Sequence, residues 1–333
     1  MGERIGFLDA LRGLGAVAVV ISHSLVLTHE GFRDFSSKHF DLGQFGVVLF
    51  LIVSGYIIPA SIERSSSRRD FWRKRFFRLF PLYWLTLLVV TVLAWRGQAI
   101  PSEEFRQNLP VNTLLNLTMV QHWGYAPMAM GAYWTLSAEI AFYVLCSMWL
   151  MSRMPPLKQV VLALVTLTLV LGALVISRAH APVYSGLIIY AAFAGTVLYK
   201  IETGTLERRQ GLAILAFLVA GATGAAALRL LSSSEGGPAV GAMAPAWGAA
   251  FLLFLVAYGC RGRSFPVWAR WLGRVSYSSY LLHSIVLLYV PKSLPSLSHL
   301  AVTLAATLAL SAATYRWFEL PFIRYAARKP TSV

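Results

Sequence analysis

A chain of 333 residues that is 57% hydrophobic and only 13% charged is not a soluble globular domain, because such domains carry about twice that share of charge. A mean hydropathy of +0.63 names lipid as its solvent, and helices of about 20 residues per crossing leave no room for a large soluble domain. The net charge of +15 is spread between apolar segments, where it sets topology and meets anionic lipid, and it gives no reason to expect nucleic acid.

The apolar pattern predicts an all-α, polytopic membrane protein with ten transmembrane helices, at about 7–27, 42–61, 79–95, 132–151, 157–177, 183–200, 211–231, 243–260, 272–291 and 299–319. Glu3, Arg4, Asp9 and Arg12 lie at or before the first apolar run, and no small-residue cleavage site follows it. That run is therefore expected to remain as a signal anchor. The loop 62–80 holds Arg64, Arg68, Arg69, Arg73, Lys74, Arg75 and Arg78. Placing it in the cytoplasm puts most lysines and arginines on that side and both termini with them. The longest outer segment is 96–131, and its weaker apolar stretch 111–123 reads as a re-entrant or interfacial piece. Pro155-Pro156 and Gly236-Gly237-Pro238 mark turns. Cys146 and Cys260 belong to separate apolar segments and read as small core residues, not as a disulfide.

Four groups of residues could carry chemistry. Arg12 and His23 are eleven apart, almost three helical turns, so they share one face about 16 Å apart along the axis. Asp9 precedes Arg12 by three on nearly the same face. Singly, Arg12 could snorkel and His23 could be a satisfied polar residue; together, such costly groups point to a cavity. Glu139 sits mid-helix with Thr135 and Tyr143 four residues to either side. It is either a site carboxylate or a protonated structural residue. Arg75 and Arg78, spaced i, i+3, suit a phosphate, although charge alone is equally explained by topology. Arg274, Ser276, Tyr277, Tyr280 and His283 place polar groups in another apolar helix, where a structural hydrogen bond for His283 is favoured over a second base. No metal-ligand spacing, P-loop, nucleophile elbow or dinucleotide fingerprint is present.

The order of motifs is more specific than any one of them. FLDALRGLGAVAVVISH (7–23) carries a D-x-L-R-G start and an Arg-x10-His spacing. It is followed by FGVVLFLIVSGYII (45–58), RKRFFRLFPLYW (73–84), YWTLSAEIAFY (133–143), LGRVSYSSYLLH (272–283) and YRWFELPF (315–322). Over nearly the whole chain this series resembles the acyltransferase-3 family of bacterial multi-pass membrane O-acyltransferases. Two positions depart from the common pattern: Val48 and Ile140 stand where many relatives carry an acid.

The resemblance implies one transmembrane domain over 1–333, without an appended soluble domain, in the bacterial cytoplasmic membrane. It implies transfer of an acyl group, most often acetyl, from cytoplasmic acyl-CoA to a sugar hydroxyl of an envelope glycan or exported glycoconjugate. Some relatives acylate secondary metabolites such as macrolides. The implied roles are His23 as the essential histidine, Glu139 as its site carboxylate, and Arg12, Arg75 and Arg78 as donor-side cations, with no metal. Asp9, Tyr133, Trp134, Tyr280 and His283 are expected as weaker substrate contacts, and 96–131 as a cap facing the acceptor. In this scheme acyl-CoA passes Arg12, His23 acts as base or acyl carrier, and Glu139 orients the imidazole or holds its positive charge. A reading from another class is a glycan or lipid transporter, which the lack of inverted repeats and paired Gly/Pro-broken helices disfavours.

Overall fold

The computed structural model describes residues 6–176, 183–232 and 240–328, and the regular elements among them are all helices. Glu3, Arg4 and the Gly236-Gly237-Pro238 turn lie outside these residues. The chain begins with α1 (Gly6–Thr28), a short α2 (Glu30–Lys38), α3 (Leu42–Glu63) and α4 (Arg68–Trp95). It continues through α5 (Leu109–Asn116), α6 (Tyr133–Leu145), α7 (Pro156–Ile176), α8 (Val183–Glu202) and α9 (Arg208–Ser232). It ends with α10 (Val240–Gly259), α11 (Val267–Tyr289), α12 (Ser296–Thr314) and α13 (Leu320–Ala327). π turns at Cys146–Leu150 and Tyr315–Glu319 extend α6 and join α12 to α13.

Among the described residues six helical stretches are long and apolar enough to cross a membrane: Gly6–Thr28, Leu42–Glu63, Arg68–Trp95, Pro156–Ala173, Gly241–Gly259 and Ser296–Ala327. This is a multi-pass membrane protein. Helices also occupy the other four segments predicted from sequence, as α6 with its π turn, α8, α9 and α11. Pro59, Pro81 and Pro245 lie inside α3, α4 and α10, which continue through them.

In lipid, helices associate by close backbone approach at small residues, because burial from water is not available as a driving force. α1 is the centre of this packing. Gly13 of α1 meets Gly273 of α11 so closely that a β-carbon on Gly273 would collide with the Asp9 carbonyl. Gly15 of α1 and Gly46 of α3 make a second such contact, and Gly55 of α3 crosses α8 at Ala192 and Gly195. Helix directions follow from side-chain pairs. Gly13–Gly273 and His23–His283 advance together, so α1 and α11 are parallel. Ser24 bonds His299, and Ser296 bonds the Thr28 carbonyl, so α12 runs antiparallel to α1.

The segment 96–131 folds into α5 and two 3-10 turns, Glu103–Asn108 and Gln121–Gly124. It is pinned to α4 and α6: Tyr83 donates to the Asn116 carbonyl at 2.7 Å, and Trp123 Nε1 to the Ser137 carbonyl at 3.1 Å. Both cysteines are free; Cys146 is buried in the core, whereas Cys260, expected there too, is only half-buried just beyond the end of α10.

Candidate active site

The first chamber is a cationic cavity of about 310 Å³. α1 supplies Asp9 and Arg12, α3 Ser54, α4 Lys74, Arg75 and Arg78, and α6 Glu139 and Tyr143; Arg64 closes the end of α3. At the start of α4, Ser67 caps the helix by accepting the Asp70 N–H, and Asp70 pairs with Arg73 at 3.2 Å and Lys74 at 2.7 Å. Lys74 lines the cavity from that ion pair, beside Arg75 and Arg78. Arg75 donates to Ser61 Oγ at 2.8 Å, and its guanidinium lies 5.8 and 5.9 Å from the rings of Phe71 and Tyr143. Its Nε is buried with no hydrogen-bond partner, an arrangement that suits an anion not yet bound. Glu139 accepts from Tyr143 on its own helix and from Ser54 on α3 at 3.3 Å.

Arg12, Ser54 and Glu139 also line a waist of about 40 Å³, together with Phe50, Thr135, Tyr277 and Tyr280. Tyr280 is fixed there by Thr135, hydroxyl to hydroxyl at 2.6 Å, and Tyr277 donates to the Leu79 carbonyl at 2.6 Å.

Val47 and Tyr280 are shared between the waist and a third cavity of about 490 Å³. His23, Arg33, Asp41, Gln44, Trp134 and Tyr280 give it its polar and aromatic lining. Met128 and Gly131, from the end of the 96–131 segment, form part of the wall. His23 is exposed to this space, while its neighbour His283 is fully buried behind it. His23 Nδ1 lies 2.8 Å from His283 Nε2, and His283 Nδ1 lies 2.7 Å from the Tyr280 carbonyl oxygen.

Arg12 and His23 line neighbouring cavities that share wall residues: Arg12, Ser54 and Glu139 between the first and the waist, Val47 and Tyr280 between the waist and the third. Arg75, Arg78 and Asp9 join Arg12, and Trp134 and Tyr280 join His23. Two expected site residues are placed apart from the His23 imidazole. Glu139 sits on the arginine side of the waist, held by Ser54 and Tyr143, and His23 pairs with His283. Tyr133 lines none of these chambers; it is fully buried, bonded to Thr86 at 3.0 Å and packed on Tyr83 with ring centroids 4.3 Å apart. Val48 and Ile140 are buried apolar residues, so no acid is called for at either. Sequence reasoning missed Ser54, Arg33, Asp41 and Gln44. Asp41 and Gln44 stand at the start of α3, where Asp41 caps the helix through the Gln44 N–H at 3.0 Å, a pattern the sequence carries. Among the described residues no group of three or more His, Cys, Asp or Glu could hold a metal ion.

A polytopic helical bundle with a cationic cavity and a histidine-lined one on either side of a shared narrow waist is the setting for the family match. The chain belongs to the acyltransferase-3 family: that family's acyltransferase domain matches residues 5–316. Among curated proteins it is 29% identical to acyltransferase MdmB of Streptomyces mycarofaciens over 44% of this chain and 39% of the relative. It is 30% identical to nodulation protein 10 of Rhizobium leguminosarum bv. viciae over 45% of each. It is 28% identical to the O-acetyl transferase of Shigella phage Sf6 over 41% of this chain and 43% of that protein. The chain thus spans less than half the length of these relatives. No solved structure matches it.

Proposed function

We propose that this protein is a membrane O-acyltransferase that moves an acyl group, acetyl in the first instance, from cytoplasmic acyl-CoA to a sugar hydroxyl of an envelope glycan or exported glycoconjugate. The observation that carries this reading is the series of chambers, with arginines at one end and an accessible imidazole at the other. Family membership supports group transfer, and the relative named as an O-acetyl transferase supports acetyl and a hydroxyl acceptor.

The chemistry follows from the linings. The phosphates of CoA pair with Arg75, Arg78 and neighbouring cations by charge-assisted hydrogen bonds. The thioester reaches the waist past Arg12, and the acceptor enters the larger cavity, with Trp134 as an aromatic wall. His23 takes the proton of the acceptor hydroxyl as its oxygen attacks the thioester carbonyl. The new C–O bond forms, the C–S bond breaks, and the proton ends on the departing CoA thiolate. Glu139, on the donor side, balances the surrounding cations.

The protein reads as one domain of ten crossings in a bacterial cytoplasmic membrane, with both termini and the basic 62–80 segment, the α3–α4 turn and the first turns of α4, cytoplasmic. Support comes from helix directions. Alternating crossings make α1 and α11, the first and ninth, parallel and make α12, the tenth, antiparallel to both, in agreement with the side-chain pairs above. The test is transfer by purified protein in liposomes, with labelled acetyl-CoA on the side of the basic loop and envelope glycan on the other. Acetylated glycan recovered by mass spectrometry supports the reading. Glycan crossing the membrane unmodified would place the protein among transporters.

A further inference from the structure

In hydrolytic triads a carboxylate fixes the tautomer of the working imidazole. Here the hydrogen-bond partner of His23 is a second imidazole. The two rings are tilted by only 28°, with centroids 5.0 Å apart. The N–H and the lone pair between them therefore lie near a common plane, as a hydrogen bond requires.

The protons can be placed by elimination. The Tyr280 carbonyl can only accept, so His283 Nδ1, at 2.7 Å, carries a hydrogen. His283 is fully buried, and a buried imidazolium without a carboxylate on it is costly, so the ring is neutral and its Nε2 is a bare acceptor. Ser284 Oγ, 3.3 Å from the same nitrogen, is a second and longer neighbour for that lone pair. His23 Nδ1, at 2.8 Å, must then be the donor. A neutral His23 that donates from Nδ1 has no hydrogen on Nε2, the nitrogen left to the cavity.

We infer that His283 is a positioning residue that locks His23 in its Nδ1–H tautomer and so leaves Nε2 free to accept a proton. This deepens the transferase reading and rests on it for its purpose, though not for its geometry. The fold supplies the alignment. His23 and His283 each lie ten residues, about 15 Å, beyond Gly13 and Gly273, where the parallel helices touch backbone to backbone. When His23 gains a proton on Nε2, its Nδ1 proton can move to His283 Nε2. One positive charge is then shared by two rings, a role a carboxylate fills elsewhere.

The test is the ring ¹⁵N spectrum of histidine-labelled protein in lipid nanodiscs at a pH where both rings are neutral, assigned with single-histidine substitutions. The inference predicts pyrrole-type Nδ1 and pyridine-type Nε2 for both residues. In His283→Phe, His23 should switch to the Nε2–H form that an unconstrained imidazole prefers. In His283→Gln the side-chain oxygen can accept from Nδ1, and the native tautomer should persist. Turnover should follow: kcat down tenfold or more in His283→Phe with the donor KM unchanged, and largely restored in His283→Gln. A native spectrum with His23 protonated on Nε2 would overturn the inference, whether or not the variants fold. So would a His23 tautomer indifferent to His283→Phe. If the tautomers are as stated and no acyl transfer is found, the positioning role stands and the transferase reading falls.

Discussion

Ser54 of α3 donates to Glu139 of α6 at 3.3 Å, and this bond closes one side of the waist between the cationic and the histidine-lined cavities. Arg12, Arg64, Lys74, Arg75 and Arg78 line the cavity next to it. In the proposed account Glu139 acts as a counter-charge to these cations. Glu139→Gln keeps acceptors for Ser54 and Tyr143 but removes that charge. The expected result is a loss of about 1–3 kcal/mol in stability, the cost of leaving charged groups less well paired, together with tighter binding of CoA. Thermal melts with and without CoA check both signs. Weaker CoA binding in this variant would place Glu139 in direct contact with the donor.

The arginines make the opposite prediction. Arg75→Ala and Arg78→Ala each remove a charge-assisted contact worth about 1.5–3 kcal/mol, or tenfold and more in affinity for CoA. The acceptor KM should not move. Isothermal titration with CoA and initial-rate kinetics separate the two, and unchanged CoA affinity in the double variant would reduce these arginines to topology.

Much of this arrangement is legible in the sequence, for identifiable reasons. Helical periodicity alone puts Arg12 and His23 on one face; the expected loop 62–80 is shorter, because α4 begins at Arg68 and carries most of its basic residues on a helix. Pairings across the bundle are another matter. His23 and His283 are 260 residues apart, and no local pattern tells which helix face meets which. Glu139 looked like the partner of His23 because a buried carboxylate needs one; the structure gives it Ser54 and a tyrosine one turn along its own helix. Tyr133, expected as a weaker substrate contact from the resemblance, packs its ring on Tyr83 and shares its hydroxyl with Thr86.

Gly273 has no room for a side chain against the Asp9 carbonyl. Gly273→Ala should force α1 and α11 apart at a cost of about 1–3 kcal/mol, the usual range for overpacking, and should disturb the His23–His283 bond downstream. Thermal unfolding in nanodiscs measures the first effect. An unaltered melting temperature would contradict the close crossing.

His122, in the 96–131 segment, packs against α8 with Nε2 2.7 Å from Ser185 Oγ. Partial burial holds its pKa below the ordinary imidazole value of 6.5. The folded protein then binds fewer protons here than the unfolded chain. This contribution to stability is complete above that value and is lost as pH falls through the lower folded pKa. Melting temperature should therefore decline on acidification, and less so in His122→Gln. Equal pH slopes in the two proteins would remove His122 from the docking of the segment.

The most direct test of the whole account is acyl transfer by His23→Ala. The side chain faces a cavity, so its removal should leave insertion and melting temperature close to native, while donor binding at the distant arginines stays intact. Single-turnover transfer of labelled acetyl from CoA to glycan should then fall by at least about 100-fold, the lower end of what a positioned general base contributes. Transfer at a near-native rate by a folded, CoA-binding His23→Ala protein would contradict the account at its centre.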